Sequence, residues 1–372
     1  MGETMIAAVW RGIGPELELT EIPIPEPKTG EALVRVTSCG VCHTDFHVMK
    51  GEVAFPSPAV LGHEISGRIV RLGPDTDAPG LAEGTKVVGA FIMPCGRCVQ
   101  CDRGRDDMCV EFFAQNRLNG TLYDGESRLR AGDGSSIAMY SMAGMAEYAV
   151  VPVTGLTPLP DEVSEVPAAI LGCAMFTAYG ALRHSAKLQP GETVAVVAIG
   201  GVGQSIVQLA RAMGAGKIIA VDVSDDKLAR ARQLGADEVI NSRTGDPVAV
   251  VRELTDGAGV DVAFEALGLP RTFEQAANML IDGGRMVAVG IAAGSAAAQV
   301  EITPLVRRGY HLMGSYGART RVDLPAVVGL AASGGIAIED AVSRVYPLDE
   351  VNDAFAALGR GEIQGRAVIR IS

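Results

Sequence analysis

From about Gly191 the chain alternates between apolar runs too short for helices and segments with helical spacing, and this rhythm restricts the fold more than any other feature. "ETVAVVAIGG" reads as a buried strand, and Val202, Ile206, Leu209 and Met213 then recur every three to four residues before a glycine-rich stop. "KIIAVDV", "DEVI", "VDVAFEA" and "RMVAVGI" follow as strands, separated by the helical segments "DDKLARARQLG", "PVAVVRELTDG" and "TFEQAANMLIDGG". Such alternation predicts an α/β region in which a doubly wound parallel sheet is covered by helices on both faces.

The remainder has another texture. Between Ala7 and about Val153, short runs such as "ALVRV", "GRIVRLG", "KVVGAFI" and "EYAVVPV" are set among Gly, Pro and Asp, which predicts a strand-rich region with long loops. After about Leu312 a mixed segment contains a helical stretch, "LDEVNDAFAALGRG", and a last strand, "RAVIRI". A chain of 372 residues is long for one core, so two domains are expected, the final segment returning to the first.

The first βα turn of the alternating region, "VAVVAIGGVGQ", has the composition of a Rossmann dinucleotide turn, and Asp222 ends the following strand. Glycine at 200, 201 and 203 lets the backbone approach a pyrophosphate at a helix amino terminus. Ala198 stands where the first glycine of the pattern is expected, so negative φ is expected there, with Gly200 and Gly201 carrying the turn. A carboxylate at 222 accepts bonds from a ribose and repels a 2′-phosphate, which favours NAD over NADP.

A net charge of -12 excludes a nucleic-acid footprint, which needs clustered Lys and Arg. The first residues lack the basic and apolar regions of a signal peptide, and no run of apolar residues is long enough for a membrane helix. A cytoplasmic protein without membrane or nucleic-acid partners is expected. In a reducing compartment its seven cysteines are expected as thiols and metal ligands.

Four of them lie in "CGRCVQCDRGRDDMC": Cys95, Cys98, Cys101 and Cys109. This spacing suits a closed tetrahedral Zn²⁺ site with a stabilising role, and Arg97, Arg103 and Arg105 are placed to offset the surplus thiolate charge. A second set is Cys42 in "GVCHTDFH", His63 in "LGHEISG" and Cys173 in "LGCAMFTAYG". Two thiolates and one imidazole leave an open fourth position on zinc, as in a catalytic site.

With these motifs, "GTLYDGESRL" and "GSYG" in order along nearly its whole length, the chain resembles the zinc-containing medium-chain alcohol dehydrogenases. The resemblance implies a catalytic domain of residues 1–174 and 313–372, built on a partly open β-barrel, and a cofactor domain of residues 175–312, with the active site in the cleft between them. It implies an NAD-dependent enzyme that interconverts alcohols and aldehydes by hydride transfer, with two zinc ions per chain. Cys42, His63 and Cys173 would hold the catalytic zinc with Glu64 behind it, and Asp45 would accept the free N–H of His63. Thr44 would pass the alcohol proton through the nicotinamide ribose to His47. His43 and Arg366 would reach the pyrophosphate, Gly200, Gly201, Val202 and Gly203 would cradle it, and Asp222 and Lys227 would hold the adenosine ribose.

By the same alignment Val53, Phe91, Met139, Ile291 and Leu312 would form an apolar substrate wall, suited to a medium-sized or aromatic primary alcohol and offering little to a polyol or charged acid. The alternatives are the glutathione-dependent formaldehyde dehydrogenase branch, which shares "GTLYDGESRL" but uses an acidic residue near the position of His47 where only Glu52 is found, and a non-catalytic zinc- and NAD-binding scaffold. A homodimer is expected through edge strands near "RMVAVGI" and "HLMGSYG".

Overall fold

A computed structural model describes residues 3–292 and 294–372. The chain divides into two compact units, one of Met1–Phe176, Arg319–Gly334 and Ile338–Ser372, the other of Thr177–Ala318 and Gly335–Ala337.

The second unit holds six parallel strands in the order Glu238–Asn241, Lys217–Asp222, Thr193–Val197, Val260–Glu265, Leu280–Ala288 and His311–Gly314. Strand order reverses beside Thr193–Val197, where open α/β sheets bind ligands at their carboxyl ends. Its core is aliphatic: Ala195, Val197, Ile219, Val221, Val260 and Met286 are all buried. The helix expected over "TFEQAANMLIDGG" stops at Asn278, because Leu280 already pairs with Val260 in the sheet.

The turn after Thr193–Val197 differs from expectation. Ala198 has φ of +74°, while Gly200, two residues on, is extended at φ of -81° and Gly201 opens the helix Gly201–Ala212. Three contacts fix this path. Ala198 N–H donates to Val221 O at 2.8 Å, Ile199 N–H donates to Asp222 Oδ2 at 2.6 Å, and the Ala198 carbonyl lies so close to Gly203 that a Cβ there would stand 2.1 Å from it. The left-handed residue is therefore the alanine, at a cost of about 1–2 kcal/mol.

The first unit is built on two sheets. One has the order Leu17–Pro23, Thr4–Trp10, Ala59–Val60, Ser136–Met139 and Leu129–Arg130. The other runs Leu156–Pro158, Lys86–Gly89, Ile65–Leu72, Glu31–Val41, Arg366–Arg370 and Val342–Pro347, with Tyr148–Pro152 paired to Glu31–Val41. These sheets are the strand-rich part expected as a partly open barrel. The long strand Glu31–Val41 ends at Cys42, the chain enters the helix His43–Met49, and Arg366–Arg370 pairs antiparallel to its last residues. Residues distant in sequence thus meet at one sheet end.

The loop containing "GTLYDGESRL" is held by charge. Arg128, almost fully buried, donates to Glu31 at 2.6 and 2.9 Å and to Asp124 at 2.9 and 3.1 Å, and Lys28 bonds Asp124 at 2.6 Å. Among the described residues no single helix is long and apolar enough to cross a membrane.

Candidate active site

Cys42 stands between the strand Glu31–Val41 and the helix His43–Met49, His63 and Glu64 precede the strand Ile65–Leu72, and Cys173 follows a short 3-10 turn Ala169–Gly172. One potential ligand atom from each of these residues lies within 4.8 Å of the others, and all four residues are buried. Cys173 Sγ is 3.5 Å from His63 Nε2, and Thr44 Oγ1 is 3.5 Å from Cys42 Sγ. On the opposite side of the imidazole, His63 Nδ1 lies 3.1 Å from Asp45 Oδ1, which also accepts from Gly62 N–H at 3.1 Å. This contact fixes the ring so that Nε2 faces the sulfurs.

The electrostatics suit a cation. Burial disfavours a charged imidazole, yet the Asp45 carboxylate and Cys42 sulfur outweigh it and raise His63 to about 10. Cys42 lies well below the ordinary thiol range, first because of the bond from Cys173, with burial opposing and Arg366 and His63 assisting. Glu64 adds another buried carboxylate, whose Oε1 accepts from Arg366 Nη2 and whose Oε2 has no hydrogen-bond partner. Gly40 makes room for it: a Cβ there would lie 2.2 Å from Glu64 Oε2. This donor set, two sulfurs and one oriented imidazole in a negative pocket, matches zinc.

The other cysteine cluster is also assembled. Cys95, Cys98, Cys101 and Cys109 bring their sulfurs within 4.8 Å of one another, and Cys109 Sγ accepts N–H bonds from Cys95 at 3.2 Å and Phe112 at 3.4 Å. Burial pushes the Cys98 thiol up, but the N–H groups of Cys101 and Val110 oppose it and bring it down to about 6. Burial dominates at Cys109, which rises to about 11. The arginines expected to balance this lobe do so poorly: Arg97 and Arg103 are exposed, and Arg105 pairs with Asp107 at 2.7 Å. The cation beside it is Arg321, bonded to buried Asp106 at 2.7 Å and to Cys101 O at 2.9 Å. Nothing local in the sequence announces it, since it lies 215 residues from Asp106.

His47 Nδ1 meets Glu52 Oε2, and Lys50 Nζ braces the same carboxylate at 2.8 Å. His43 opens the helix, its ring centroid 6.3 Å from that of His47. In the second unit, Asp222 accepts from Ile199, Val223 and Ser224 N–H at 2.6, 2.7 and 3.0 Å. Three bonds leave a carboxylate one further lone-pair direction for a ribose hydroxyl. Lys227 lies in the helix Asp225–Gln233 just beyond it. Arg366, also expected at the pyrophosphate, is buried against Glu64.

The substrate wall needs revision. Phe91 lies edge-on to His63 with centroids 6.0 Å apart, as a wall residue should, and Val53 is exposed. Met139 is fully buried and its sulfur accepts Arg128 N–H at 3.2 Å, so it supports the loop. The aromatic residue beside His63 is its neighbour Tyr140, 6.1 Å away between centroids. Tyr140 lies one residue beyond the strand Ser136–Met139, where the chain leaves the sheet. Ile291 and Leu312 belong to the second unit, where Ile291 is exposed and Leu312 packs against the aliphatic core.

Comparison with known proteins accords with this geometry. Residues 28–161 match the alcohol dehydrogenase GroES-like domain and residues 201–333 match the zinc-binding dehydrogenase domain. The chain belongs to the zinc-containing medium-chain alcohol dehydrogenases. It is 34% identical over 365 residues to an S-(hydroxymethyl)glutathione dehydrogenase of Synechocystis sp., covering 96% of this chain and 97% of that one. Its fold matches benzyl alcohol dehydrogenase from Acinetobacter calcoaceticus with a TM-score of 0.92 at 32% identity, covering all of both chains. An acetophenone reductase from Geotrichum candidum, solved with NAD, matches with a TM-score of 0.79 at 28% identity, covering 100% of this chain and 98% of that one. This dehydrogenase is therefore an oxidoreductase of alcohols and aldehydes that uses zinc and NAD.

Proposed function

We propose that the enzyme interconverts medium-sized or aromatic primary alcohols and their aldehydes at Cys42, His63 and Cys173. The observation that carries this reading is the convergence of those three ligands beside Thr44 and an aromatic wall of Phe91 and Tyr140. Bound zinc supplies a Lewis acid that lowers the pKa of a hydroxyl group, and NAD supplies the hydride acceptor. Thr44 Oγ accepts the alcohol proton's hydrogen bond, and its methyl group crowds a second substituent on the reacting carbon. His47, oriented by Glu52, holds the proton at its solvent-facing end. Asp45 keeps His63 in the ligating tautomer, and Glu64 supports the site from behind with Arg366.

Residues 1–174 and 313–372 serve as the catalytic domain and 175–312 as the cofactor domain. In the cofactor domain Gly200, Gly201, Val202 and Gly203 receive the pyrophosphate and Asp222 and Lys227 receive the adenosine ribose, and His43 of the catalytic domain serves the pyrophosphate. Cys95, Cys98, Cys101 and Cys109 hold a structural zinc. The working form is a homodimer: the helix Ile302–Arg307 buries none of its side chains, with Ile302 75% and Val306 72% exposed, beside the edge strand His311–Gly314. Two thiolate-rich metal sites suit a reducing cytoplasm.

The test is kcat/KM with NAD for 1-hexanol, benzyl alcohol, 2-hexanol and sorbitol. A primary alcohol should come first, and sorbitol or 2-hexanol in that place overturns the substrate reading. A second reading, the glutathione-dependent branch, is favoured by the naming of the Synechocystis relative and by the acidic Glu52 at His47. Formaldehyde oxidation that requires glutathione and exceeds benzyl alcohol oxidation would select it.

A further inference from the structure

We propose that Ser141 is a positioning residue for the reaction: its hydroxyl braces the segment leading to His63 against the segment leading to Cys173, and so sets the separation of these two zinc ligands. The proposal rests on the zinc dehydrogenase reading and deepens it.

The two ligands come from separate pieces of the first unit. His63 follows Val60, Leu61 and Gly62, whose carbonyls accept N–H bonds from Tyr140 at 3.0 Å, Met145 at 2.9 Å and Gly144 at 2.8 Å. The chain from Tyr140 to Met145 is thus laced along the approach to His63. Cys173 follows Gly172, whose carbonyl accepts Phe91 N–H at 3.0 Å and whose Cα lies so near the strand Lys86–Gly89 that a Cβ would stand 1.9 Å from Gly89 O. The ladder between that strand and Ile65–Leu72 ends with Ile65 opposite Gly89, before either His63 or Phe91 is reached.

Ser141 spans what the ladder leaves open. It is fully buried, and its Oγ donates to Phe91 O at 2.8 Å. A continuous path of bonds therefore runs from Val60 through Tyr140, Ser141 and Phe91 to Gly172, with one end beside His63 and the other beside Cys173. His63 Nε2 and Cys173 Sγ stand 3.5 Å apart. Zinc bonds of about 2.3 Å to sulfur and about 2.0 Å to nitrogen, set at a tetrahedral angle, span about 3.5 Å. The protein by itself thus holds this pair at the separation the metal requires. The rings of Tyr140 and Phe91 lie edge-on to His63 at 6.1 and 6.0 Å between centroids, so the same brace sets both walls beside the imidazole.

The backbone is strained where this contact is made. Ser141 has φ of +53°, a left-handed conformation that glycine adopts without the Cβ penalty. The buried Asn116 amide holds the turn, donating to Met139 O at 3.3 Å and to Ser141 O at 3.1 Å, the carbonyls on either side of Tyr140. Glycine would serve the turn alone; serine adds the bond to Phe91. Strain maintained by surrounding bonds beside a set of ligands is the mark of a functional constraint.

The test follows zinc release from the loaded enzyme with a chromophoric chelator, the catalytic-site phase being the one missing from Cys173→Ala. Ser141→Gly removes the hydroxyl and relieves the left-handed strain. Its Tm should stay close to wild type while the catalytic-site phase quickens ~10-fold and the phase of the cysteine lobe is unchanged. Ser141→Ala loses the hydroxyl and keeps the strain, so it should show the same quickening with a lower Tm. Cobalt(II) placed in the catalytic site reads ligand geometry without turnover, and its visible bands should shift in Ser141→Gly. An unchanged catalytic-site phase or unchanged cobalt bands in the folded variants, or equal quickening of both phases, overturns the proposal and leaves the dehydrogenase reading intact. Wild-type enzyme that holds no zinc at Cys173 overturns both.

Discussion

Arg366 Nη2 donates to Glu64 Oε1 across 302 residues of sequence, and both side chains are buried behind Cys42 and His63. The pair joins the last strand of the chain to the metal cluster, with Gly40 leaving the space the carboxylate occupies.

Breaking that pair should be costly. Glu64→Leu leaves Arg366 buried without its partner, and Arg366→Met leaves the carboxylate so, each costing about 3–5 kcal/mol in urea unfolding. The double variant should lose less than the sum, because the uncompensated charge is gone. Additive losses would show that the two act separately.

The cysteine lobe should contribute stability without chemistry. Cys95→Ala should lower Tm and remove one zinc per chain, while Cys42→Ala should abolish turnover and mainly spare the fold. Equal Tm for wild type and Cys95→Ala contradicts the assignment.

Acid should loosen the same lobe. Cys98 is depressed from an ordinary value of 9.0 to about 6, so its contribution is full above pH 9 and disappears as pH falls through 6. Zinc release measured with a chromophoric chelator should rise below about pH 6. Release that is flat with pH would show that the Cys98 thiolate is not a ligand.

The dinucleotide turn offers a stabilising change. Ala198→Gly relieves a left-handed alanine and should stabilise by about 1 kcal/mol, raising Tm, provided the strain exceeds the added unfolded-state entropy. A lower Tm would show that the alanine methyl makes a packing contact of greater worth.

Much of this was legible because its signals are local. The alternation after Gly191 pointed to the parallel sheet and the cysteine spacing to the four-cysteine set, while Cys42, His63 and Cys173 were grouped by the motifs that carry the family resemblance. Ala198 was misread because its φ is imposed by Val221 and Asp222, partners more than twenty residues away. Tyr140 stands beside His63 through a contact between segments 77 residues apart, just past the end of the strand Ser136–Met139, which no local pattern marks. Arg321 and Asn116 act through tertiary contacts with Asp106 and with the carbonyls flanking Tyr140, which no periodicity encodes.

Cofactor choice should follow the charge at 222. Because Asp222 also accepts three backbone N–H groups, Asp222→Asn is the gentler test, keeping one acceptor while removing the repulsion toward a 2′-phosphate. The NADP to NAD ratio in kcat/KM should rise by ~10-fold. No change would mean that another group rejects the phosphate.

The central claim is that Cys42, His63 and Cys173 hold the zinc at which an alcohol is oxidised by NAD. The most direct measurement follows NADH absorbance during benzyl alcohol oxidation by wild type and Cys173→Ala, with zinc content determined on the same samples. The account predicts NADH formation and two zinc ions per chain in wild type, against no NADH and one zinc ion in the variant, matching the two ligand clusters. Undiminished NADH formation by a Cys173→Ala protein lacking that zinc would contradict it.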